Sequence, residues 1–247
     1  MLENNTKLIY DTLGIVMHRR CNASYKICCM QSNPDCKEEL NTESIKRFLN
    51  SVEDKQIEYV SYTGGEPFLE YEKLKDLISF TTSLGKKASC VTNGFWANNY
   101  KDTYNKLSEL KSAGLYRINI SYDAYHKEFI SPKNISNILR ACSDLKIISL
   151  LATIKLKNEK VGEAFDLLGN SLNNVNIKIV QGVSVGNAKK NYDTSKFERK
   201  LKPENIKCVY DGIITISYDG NIYPCCSFYV FDTALIVGNY ETRACCH

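Results

Sequence analysis

The residues best suited to chemistry in this chain are its cysteines. The sequence of 247 residues holds eleven of them, and most fall into two groups. The first group comprises Cys21, Cys28, Cys29 and Cys36, and the second comprises Cys208, Cys225, Cys226, Cys245 and Cys246. The first residues lack a basic region followed by an apolar one, so no secretory signal is expected and the chain is predicted to be cytoplasmic. Thiols stay reduced in that compartment, and the groups therefore indicate metal or redox chemistry rather than disulfides.

Composition and charge exclude some functions. Hydrophobic residues make up 43% of the chain and charged residues 24%, which is typical of a globular protein. No apolar stretch approaches the roughly 18 residues that a membrane span needs, so no membrane partner is expected. The net charge of +4 is concentrated in a run of lysines and arginines over 189–207. We interpret this run as a solvated linker, with a docking surface for an acidic peptide or for nucleic acid as the alternatives.

The elements that must position these residues alternate between strands and helices. Strands are predicted over 13–18, 56–62, 87–92, 116–121, 147–154 and 175–181. Helices are predicted over 42–52, 71–84, 102–113, 134–145 and 162–172, with no sixth helix evident. Because parallel strands need crossover connections, this order predicts an α/β fold, a partial (β/α)6 TIM-like barrel.

The loops after the strands hold the unusual segments. These loops cover 21–29, 63–67, 92–96, 121–126 and 182–188. In parallel sheets, ligands bind at the carboxyl ends of the strands. The sequence therefore predicts one ligand site at that edge of the barrel.

The loop after the first strand reads Cys21-Asn-Ala-Ser-Tyr25-Lys-Ile-Cys28. It resembles the C-x3-C-x2-C loop of the radical SAM enzymes, in which three thiolates hold a [4Fe–4S] cluster and the fourth iron binds S-adenosylmethionine (SAM). The resemblance implies that Cys21 and Cys28 are cluster ligands, whereas Tyr25 stands at the second ligand position.

Tyr25 leaves several interpretations open, because a phenol is a poor replacement for a soft thiolate. The ligand cysteine is replaced in this particular sequence, or the chain is a degenerate member without the cluster. Alternatively, Cys29 or Cys36 supplies the third bond, or Tyr25 itself is a ligand.

Further segments agree with the same family in their order. Gly64-Gly65-Glu66-Pro67 resembles its GGEP motif, in which the glycines allow close approach of backbone to ligand. Three shorter segments, at residues 92–94, 121–123 and 182–188, resemble regions of the family that line SAM. The resemblance implies that SAM is bound by Gly64, Gly65, Glu66, Asn93, Ser121, Asp123 and Gly186.

The second cysteine group resembles the SPASM or twitch extensions of this family, with Cys208, Gly220 and Cys225 spaced C-x11-G-x4-C. It implies an auxiliary iron–sulfur cluster held by Cys208, Cys225 and Cys245, with Cys226 and Cys246 as alternatives to their neighbours. Alternating residues around Asp219-Gly220 predict a β-hairpin within a small cysteine-rich domain. The predicted domains are a core barrel over 1–188, a basic linker over 189–203 and the extension over 204–247.

The resemblance also implies an activity. The chain is expected to cleave SAM reductively to a 5′-deoxyadenosyl radical that abstracts hydrogen from a peptide or protein substrate. The expected partners are that substrate and an electron donor such as flavodoxin or ferredoxin, and nucleic acid is not expected. The alternatives are a non-catalytic protein that binds SAM or a peptide, and a zinc-stabilised interaction module.

Overall fold

The structure, a computed structural model, describes residues 10–52, 57–198, 212–227 and 229–241. The strands are β1 (Thr12–Val16), β2 (Tyr59–Thr63), β3 (Lys87–Thr92), β4 (Leu115–Ser121), β5 (Ile148–Lys155), β6 (Asn176–Gln181), β7 (Ile213–Ile216), β8 (Asn221–Tyr223) and β9 (Gly238–Asn239). The α-helices are α1 (Thr42–Ser51), α2 (Tyr71–Ser83), α3 (Tyr100–Ser112), α4 (Pro132–Leu145), α5 (Gly162–Asp166) and α6 (Gly186–Asn191). No helix in these ranges is long and apolar enough to cross a membrane.

The strands form one sheet in the order β6-β5-β4-β3-β2-β1-β7-β8-β9. Each pair from β1 to β6 is parallel, as helical crossovers require. The α/β prediction is confirmed, and the sheet is a partial barrel that does not close.

The C-terminal hairpin continues the barrel sheet. Strand β7 pairs in parallel with β1, and β8 returns antiparallel beside β7. The turn predicted at Asp219-Gly220 connects these two strands, and Gly220 has the left-handed φ of +83° that such turns favour. The domain boundaries at 188 and 204 stay a prediction.

Two helices differ from the prediction. The helix predicted over 162–172 is interrupted: α5 ends at Asp166, and a short 3-10 helix covers Gly169–Leu172. Gly169 has a φ of +47°, a left-handed conformation that does not continue an α-helix. Conversely, a sixth helix does exist as α6, but its six residues are too short to show a helical period.

The two faces of the sheet differ in character. One face packs against the helices, where Ile15, Tyr62, Cys90, Ile118 and Leu151 are all fully buried. Because side chains alternate along a strand, the residues between them form the inner wall of the barrel. This wall is rich in small and polar residues, including Gly14, Ser61, Ser89, Arg117, Asn119 and Thr215.

Candidate functional site

The turn of Gly64, Gly65 and Glu66, here called the GGE turn, follows β2 directly. It packs against the backbone that leads from β1 into the cysteine loop (residues 21–29). A Cβ atom on Gly65 would lie 2.0 Å from the carbonyl oxygen of Arg20, and one on Gly64 would lie 2.5 Å from that of His18. The Gly65 N–H donates to the His18 oxygen at 2.7 Å. The glycines are therefore required where the GGE turn meets the chain's own backbone.

The Glu66 side chain is fully buried and accepts three hydrogen bonds. Its Oε1 accepts from the Thr92 hydroxyl at 2.8 Å and from the Phe68 N–H at 3.1 Å. Its Oε2 accepts from the Asn93 N–H at 2.7 Å. Glu66 thus joins the ends of β2 and β3 and begins the 3-10 helix Pro67–Glu70.

Burial raises the pKa of the Glu66 carboxyl to about 7, even though these three donors favour the charged form. The carboxyl group therefore changes its charge near neutral pH. It does so inside the protein, where a charge that is not fully compensated is expensive.

Asn93 connects this network to the cysteine loop. Its Nδ2 donates to Asn22 Oδ1 at 2.8 Å and lies 3.7 Å from the Cys21 sulfur. Its Oδ1 accepts from the Phe95 N–H at 3.0 Å, which holds the side chain in place. A single buried amide thus spans the distance from β3 to the first predicted cluster ligand.

Asp123 organises the loop after β4. Its Oδ1 accepts from the N–H groups of Tyr125 and His126 and lies 2.8 Å from His126 Nδ1. Its Oδ2 accepts from the Ile154 N–H of β5 at 3.2 Å. Burial alone would raise the pKa of Asp123. The nearby His126 ring and the hydrogen-bond donors have the larger combined effect, so the pKa of Asp123 is below its ordinary value.

Ser121 ends β4 on the inner wall. Its side chain is half-buried and forms no hydrogen bond with the residues that the structure describes. Its hydroxyl is therefore available to a ligand at the carboxyl edge.

Gly186 and helix α6 hold the cysteine loop from the other side. Gly186 has a φ of +54°, and a Cβ there would lie 2.2 Å from the Cys29 carbonyl oxygen. The Asn187 backbone N–H donates to the Cys28 carbonyl oxygen at 2.9 Å, and the Asn187 side chain donates to the Tyr25 backbone carbonyl oxygen at 3.1 Å. Close approach at Gly186 is thus made by the cysteine loop itself.

The cysteine loop brings Cys21, Tyr25 and Cys28 into one small cluster. Burial raises the pKa of the Cys21 thiol to about 12, so the thiol is neutral without a metal. The Tyr25 ring packs against His126, with 4.4 Å between the ring centroids. Its hydroxyl is buried close to the Asn93 side chain but forms no hydrogen bond of normal geometry among the described residues, and burial raises the pKa of this phenol far above its usual range.

These donors do not fit a cluster that needs three thiolates. Cys21 and Cys28 provide two, and the phenol at position 25 is both harder and much longer than a thiol. In the described ranges, no three histidine, cysteine or carboxylate side chains come together as a metal site would require. The groups expected to bind SAM do lie together at the carboxyl edge, where Asn93 and Asp123 are buried beside the GGE turn and the cysteine loop.

The sequence prediction missed several residues of this site. Thr92 connects Glu66 to Trp96, whose Nε1 donates to the Thr92 hydroxyl at 3.0 Å. Asn22 and Asn187 also form hydrogen bonds here. Both lie in loops that the sequence singled out, but their individual roles were not predicted. Of the predicted auxiliary ligands, Cys225 is a half-buried free thiol, whereas Cys208 and Cys245 lie outside the described residues.

Comparison with known proteins addresses the identity of this site. The family described as "Radical SAM superfamily" matches residues 15–161, more than half of the chain. The chain is 32% identical to the "Putative peptide biosynthesis protein YydG" of Bacillus subtilis, over 91% of this chain and 72% of that protein. It is 27% identical to the GTP 3′,8-cyclase of Helicobacter pylori, over 83% of this chain and 64% of the cyclase.

Among solved structures, the fold is similar to that of Streptococcus suis SuiB bound to its precursor peptide SuiA. The TM-score is 0.54 at 16% identity, and the match covers 95% of this chain and 63% of SuiB. The chain therefore spans slightly less than two thirds of both SuiB and the cyclase. The family match, the YydG relative and the barrel together show that this chain is an enzyme of the radical SAM superfamily.

Proposed function

We propose that this chain is a radical SAM enzyme that modifies a peptide, and that position 25 limits its radical chemistry. In the family, a reduced [4Fe–4S] cluster supplies the cleavage of SAM to methionine and a 5′-deoxyadenosyl radical. The observation that carries the proposal is a set of buried polar groups around the cysteine loop. Glu66 accepts from the Asn93 N–H, and the Asn93 side chain donates to Asn22 of that loop. Separately, Asp123 contacts the His126 ring, which packs against Tyr25.

In this proposal the chain's own residues have separate roles. Gly64, Gly65 and Gly186 allow the GGE turn and α6 to pack against the cysteine loop. Asn93, Ser121 and Asp123 orient SAM, and Glu66 joins the ends of β2 and β3. Cys21 and Cys28 are the two cluster ligands that the chain retains.

A peptide substrate is supported by two similar proteins. YydG is described as a peptide biosynthesis protein, and SuiB was solved with a precursor peptide. The basic run over 189–207 suits an acidic leader of such a peptide, because opposite charges steer association. The proposal also includes an electron donor such as flavodoxin or ferredoxin. It further includes an auxiliary cluster held by Cys208, Cys225 and Cys245.

Tyr25 favours a second candidate, a protein that binds SAM or the peptide without catalysis. Its buried hydroxyl without a partner among the described residues stands where the family's second thiolate belongs. Like the enzyme, this candidate is expected to bind SAM or the peptide. Unlike the enzyme, it is not expected to cleave SAM even when a cysteine is restored at position 25.

The test compares the chain with Tyr25→Cys and with Tyr25→Ser, which opens the same space without a thiol. Each protein is reconstituted anaerobically with iron and sulfide, and iron content and SAM binding are measured. SAM and a chemical reductant that supplies the electron are then added, and released 5′-deoxyadenosine is measured. We expect all three to bind SAM, and only Tyr25→Cys to gain about four irons over the parent chain and to release 5′-deoxyadenosine.

Each other result has a defined meaning. If the parent chain already cleaves SAM, position 25 is not limiting. If Tyr25→Cys gains iron but releases no 5′-deoxyadenosine, the binding protein replaces the enzyme. If no variant binds SAM, the enzyme is wrong, and only the peptide-binding form of the second candidate is left.

A further inference from the structure

The inner wall of the barrel carries an unbalanced positive charge. From β1 to β7, its inward positions within the strand bounds include Lys87, Arg117 and Lys178 but no aspartate or glutamate. Lys87 is paired with Glu58, with 2.5 Å between the Nζ and Oε1 atoms. Neither Arg117 nor Lys178 forms an ion pair with any residue that the structure describes. The wall thus offers cations without a counter-charge of its own.

Arg117 lies among buried polar atoms that lack partners. Ser89 on β3 stands directly opposite Arg117 on β4 in the strand register, and Asn119 follows two residues later on the same face. Ser89 Oγ, Arg117 Nε and Asn119 Oδ1 are all buried, and none has a hydrogen-bond partner among the described residues. We call these three residues the Arg117 pocket.

Such a group is unusual because buried polar atoms are nearly always hydrogen-bonded, and each one left without a partner destabilises the folded state. The Ser89 side chain is 2% exposed, so bulk solvent does not readily satisfy it. Either orientation of the Asn119 amide presents a polar atom to the same space. The Arg117 pocket therefore has the composition of a site whose ligand supplies the missing hydrogen bonds.

The depth of the pocket relates it to the reaction. Arg117 precedes Ser121 by four residues on β4, a distance of about 13 Å along a strand. Its side chain therefore lies below the carboxyl edge at which SAM is proposed to bind. A group held there belongs to the molecule that enters the barrel beneath SAM.

We propose that the Arg117 pocket binds a carboxylate of the peptide substrate, either an acidic side chain or the C-terminal carboxylate. This inference rests on the proposed function. The planar guanidinium of arginine matches a carboxylate, and the Ser89 hydroxyl adds a second donor. One free guanidinium balances one negative charge, whereas a nucleoside triphosphate carries several charges and needs more cations than the pocket holds.

The test observes Arg117 directly and needs neither a cluster nor SAM cleavage. In the full ¹⁵N-labelled chain, the Arg117 Nε–H signal is identified as the one lost in Arg117→Lys. Three probes are N-acetylated pentapeptides of glycine and valine that differ in the central residue and at the C-terminus. The first has a central aspartate and a C-terminal amide, the second a central asparagine and an amide, and the third a central asparagine and a free C-terminal carboxylate. GTP serves as the fourth probe.

We expect the aspartate peptide or the free-carboxylate peptide to shift the Arg117 signal saturably, and the one that binds tighter identifies the source of the carboxylate. The neutral asparagine peptide should bind at least about tenfold more weakly. Arg117→Gln should remove this preference, whereas Arg140→Gln, which changes an exposed arginine over the Tyr100 ring, should keep it. If Arg117→Gln does not fold, Arg117→Lys keeps the charge and should retain part of the preference.

Three results would overturn the inference. The first is that the neutral peptide binds as tightly as the acidic ones. The second is that GTP shifts the Arg117 signal at a lower concentration than any peptide does, and the third is that no probe shifts the signal. Because 5′-deoxyadenosine release by Tyr25→Cys is measured separately, these results leave the proposed function standing. Conversely, a saturable shift in a chain that never cleaves SAM leaves peptide binding without the radical step.

Discussion

The site has two sides that treat their buried polar groups differently. On the side where SAM is proposed to bind, here called the SAM side, Glu66 and Asp123 are almost fully buried, and both oxygens of each carboxylate accept hydrogen bonds from the protein. On the side of the proposed cluster ligands, here called the cluster side, the Tyr25 hydroxyl is equally enclosed but has no partner among the described residues. The Cys21 thiol, close to it, is buried and neutral.

This difference distinguishes polar groups that are satisfied by the protein itself from polar groups that only a bound cofactor would satisfy. The SAM side is held by hydrogen bonds that join β2 to β3 and β4 to β5. On the cluster side, a buried thiol would gain its charge only through coordination of a metal. We therefore expect a change at position 25 to affect that side and to leave the scaffold intact.

The largest expected effect comes from Gly65→Ala on the scaffold side. The new Cβ would lie 2.0 Å from the Arg20 carbonyl oxygen and 2.5 Å from that of Arg19, and neither backbone atom can yield as a side chain can. We expect a loss of about 3 kcal/mol or more in the free energy of unfolding, together with loss of SAM binding. Urea denaturation and equilibrium dialysis measure the two effects.

Gly162→Ala is the matched control for Gly65→Ala. A Cβ atom on Gly162 would meet no heavy atom within 4 Å, and the residue has no left-handed φ, so a change within about 0.5 kcal/mol is expected. Equal stability of the two variants would contradict the close packing of the GGE turn against the cysteine loop.

The parts of this scaffold that the sequence predicted are those with a period or a motif. Strand and helix alternation over 13–181 predicted the parallel sheet, and Asp219-Gly220 predicted the hairpin. The pairing of β7 with β1 was not predicted, because nothing local to either strand specifies a partner about 200 residues away. Helix α6 was missed because six residues are too few to show a period.

The candidate site was predicted less completely. The GGE turn and the cysteine loop stand out by their residue types, and the structure does bring them together. The glycines, however, contact backbone of the chain itself, which a motif alone does not reveal. Thr92 and Asn187 lie inside the segments 92–94 and 182–188 that the sequence singled out, but their roles were not predicted. Thr92 bonds to Glu66 and Asn187 to the Tyr25 carbonyl oxygen, partners that are distant in the sequence and that no spacing pattern reveals.

A pH titration sharpens the comparison through Glu66. Its pKa is about 7 in the folded protein against an ordinary 4.5, so the folded state retains a proton that the unfolded chain releases. Glu66 therefore stabilises the fold below about pH 4.5, and this contribution is lost as pH rises through 7. The loss is on the order of 3 kcal/mol for a shift of this size.

The measurement compares the free energy of unfolding of the parent chain and of Glu66→Gln across that window. The difference between the two curves should change with pH, because only the parent chain titrates at position 66. A constant difference for Glu66→Gln would show that the three donors keep the carboxylate charged throughout.

The smallest effect, and the one with the opposite sign, is expected for Tyr25→Phe. The ring contacts with His126 and Phe129 are kept, and only a buried hydroxyl without a partner among the described residues is removed. We expect a gain of about 1 kcal/mol in the free energy of unfolding, because the hydroxyl is no longer withdrawn from water. Thermal and urea denaturation of the chain without iron measure it.

Tyr62→Phe gives the matched comparison on the scaffold side. The Tyr62 ring is fully buried, and its hydroxyl bonds to the Leu77 carbonyl oxygen at 3.2 Å and to the Thr81 hydroxyl at 2.5 Å. Removing the hydroxyl oxygen from Tyr62 should lower the free energy of unfolding by about 1 kcal/mol, because two hydrogen bonds are lost. Opposite signs for the two variants would show that Tyr25 is tolerated by the fold rather than required by it, whereas a loss for both would mean that the Tyr25 hydroxyl has a partner and belongs to the site's own hydrogen-bond network.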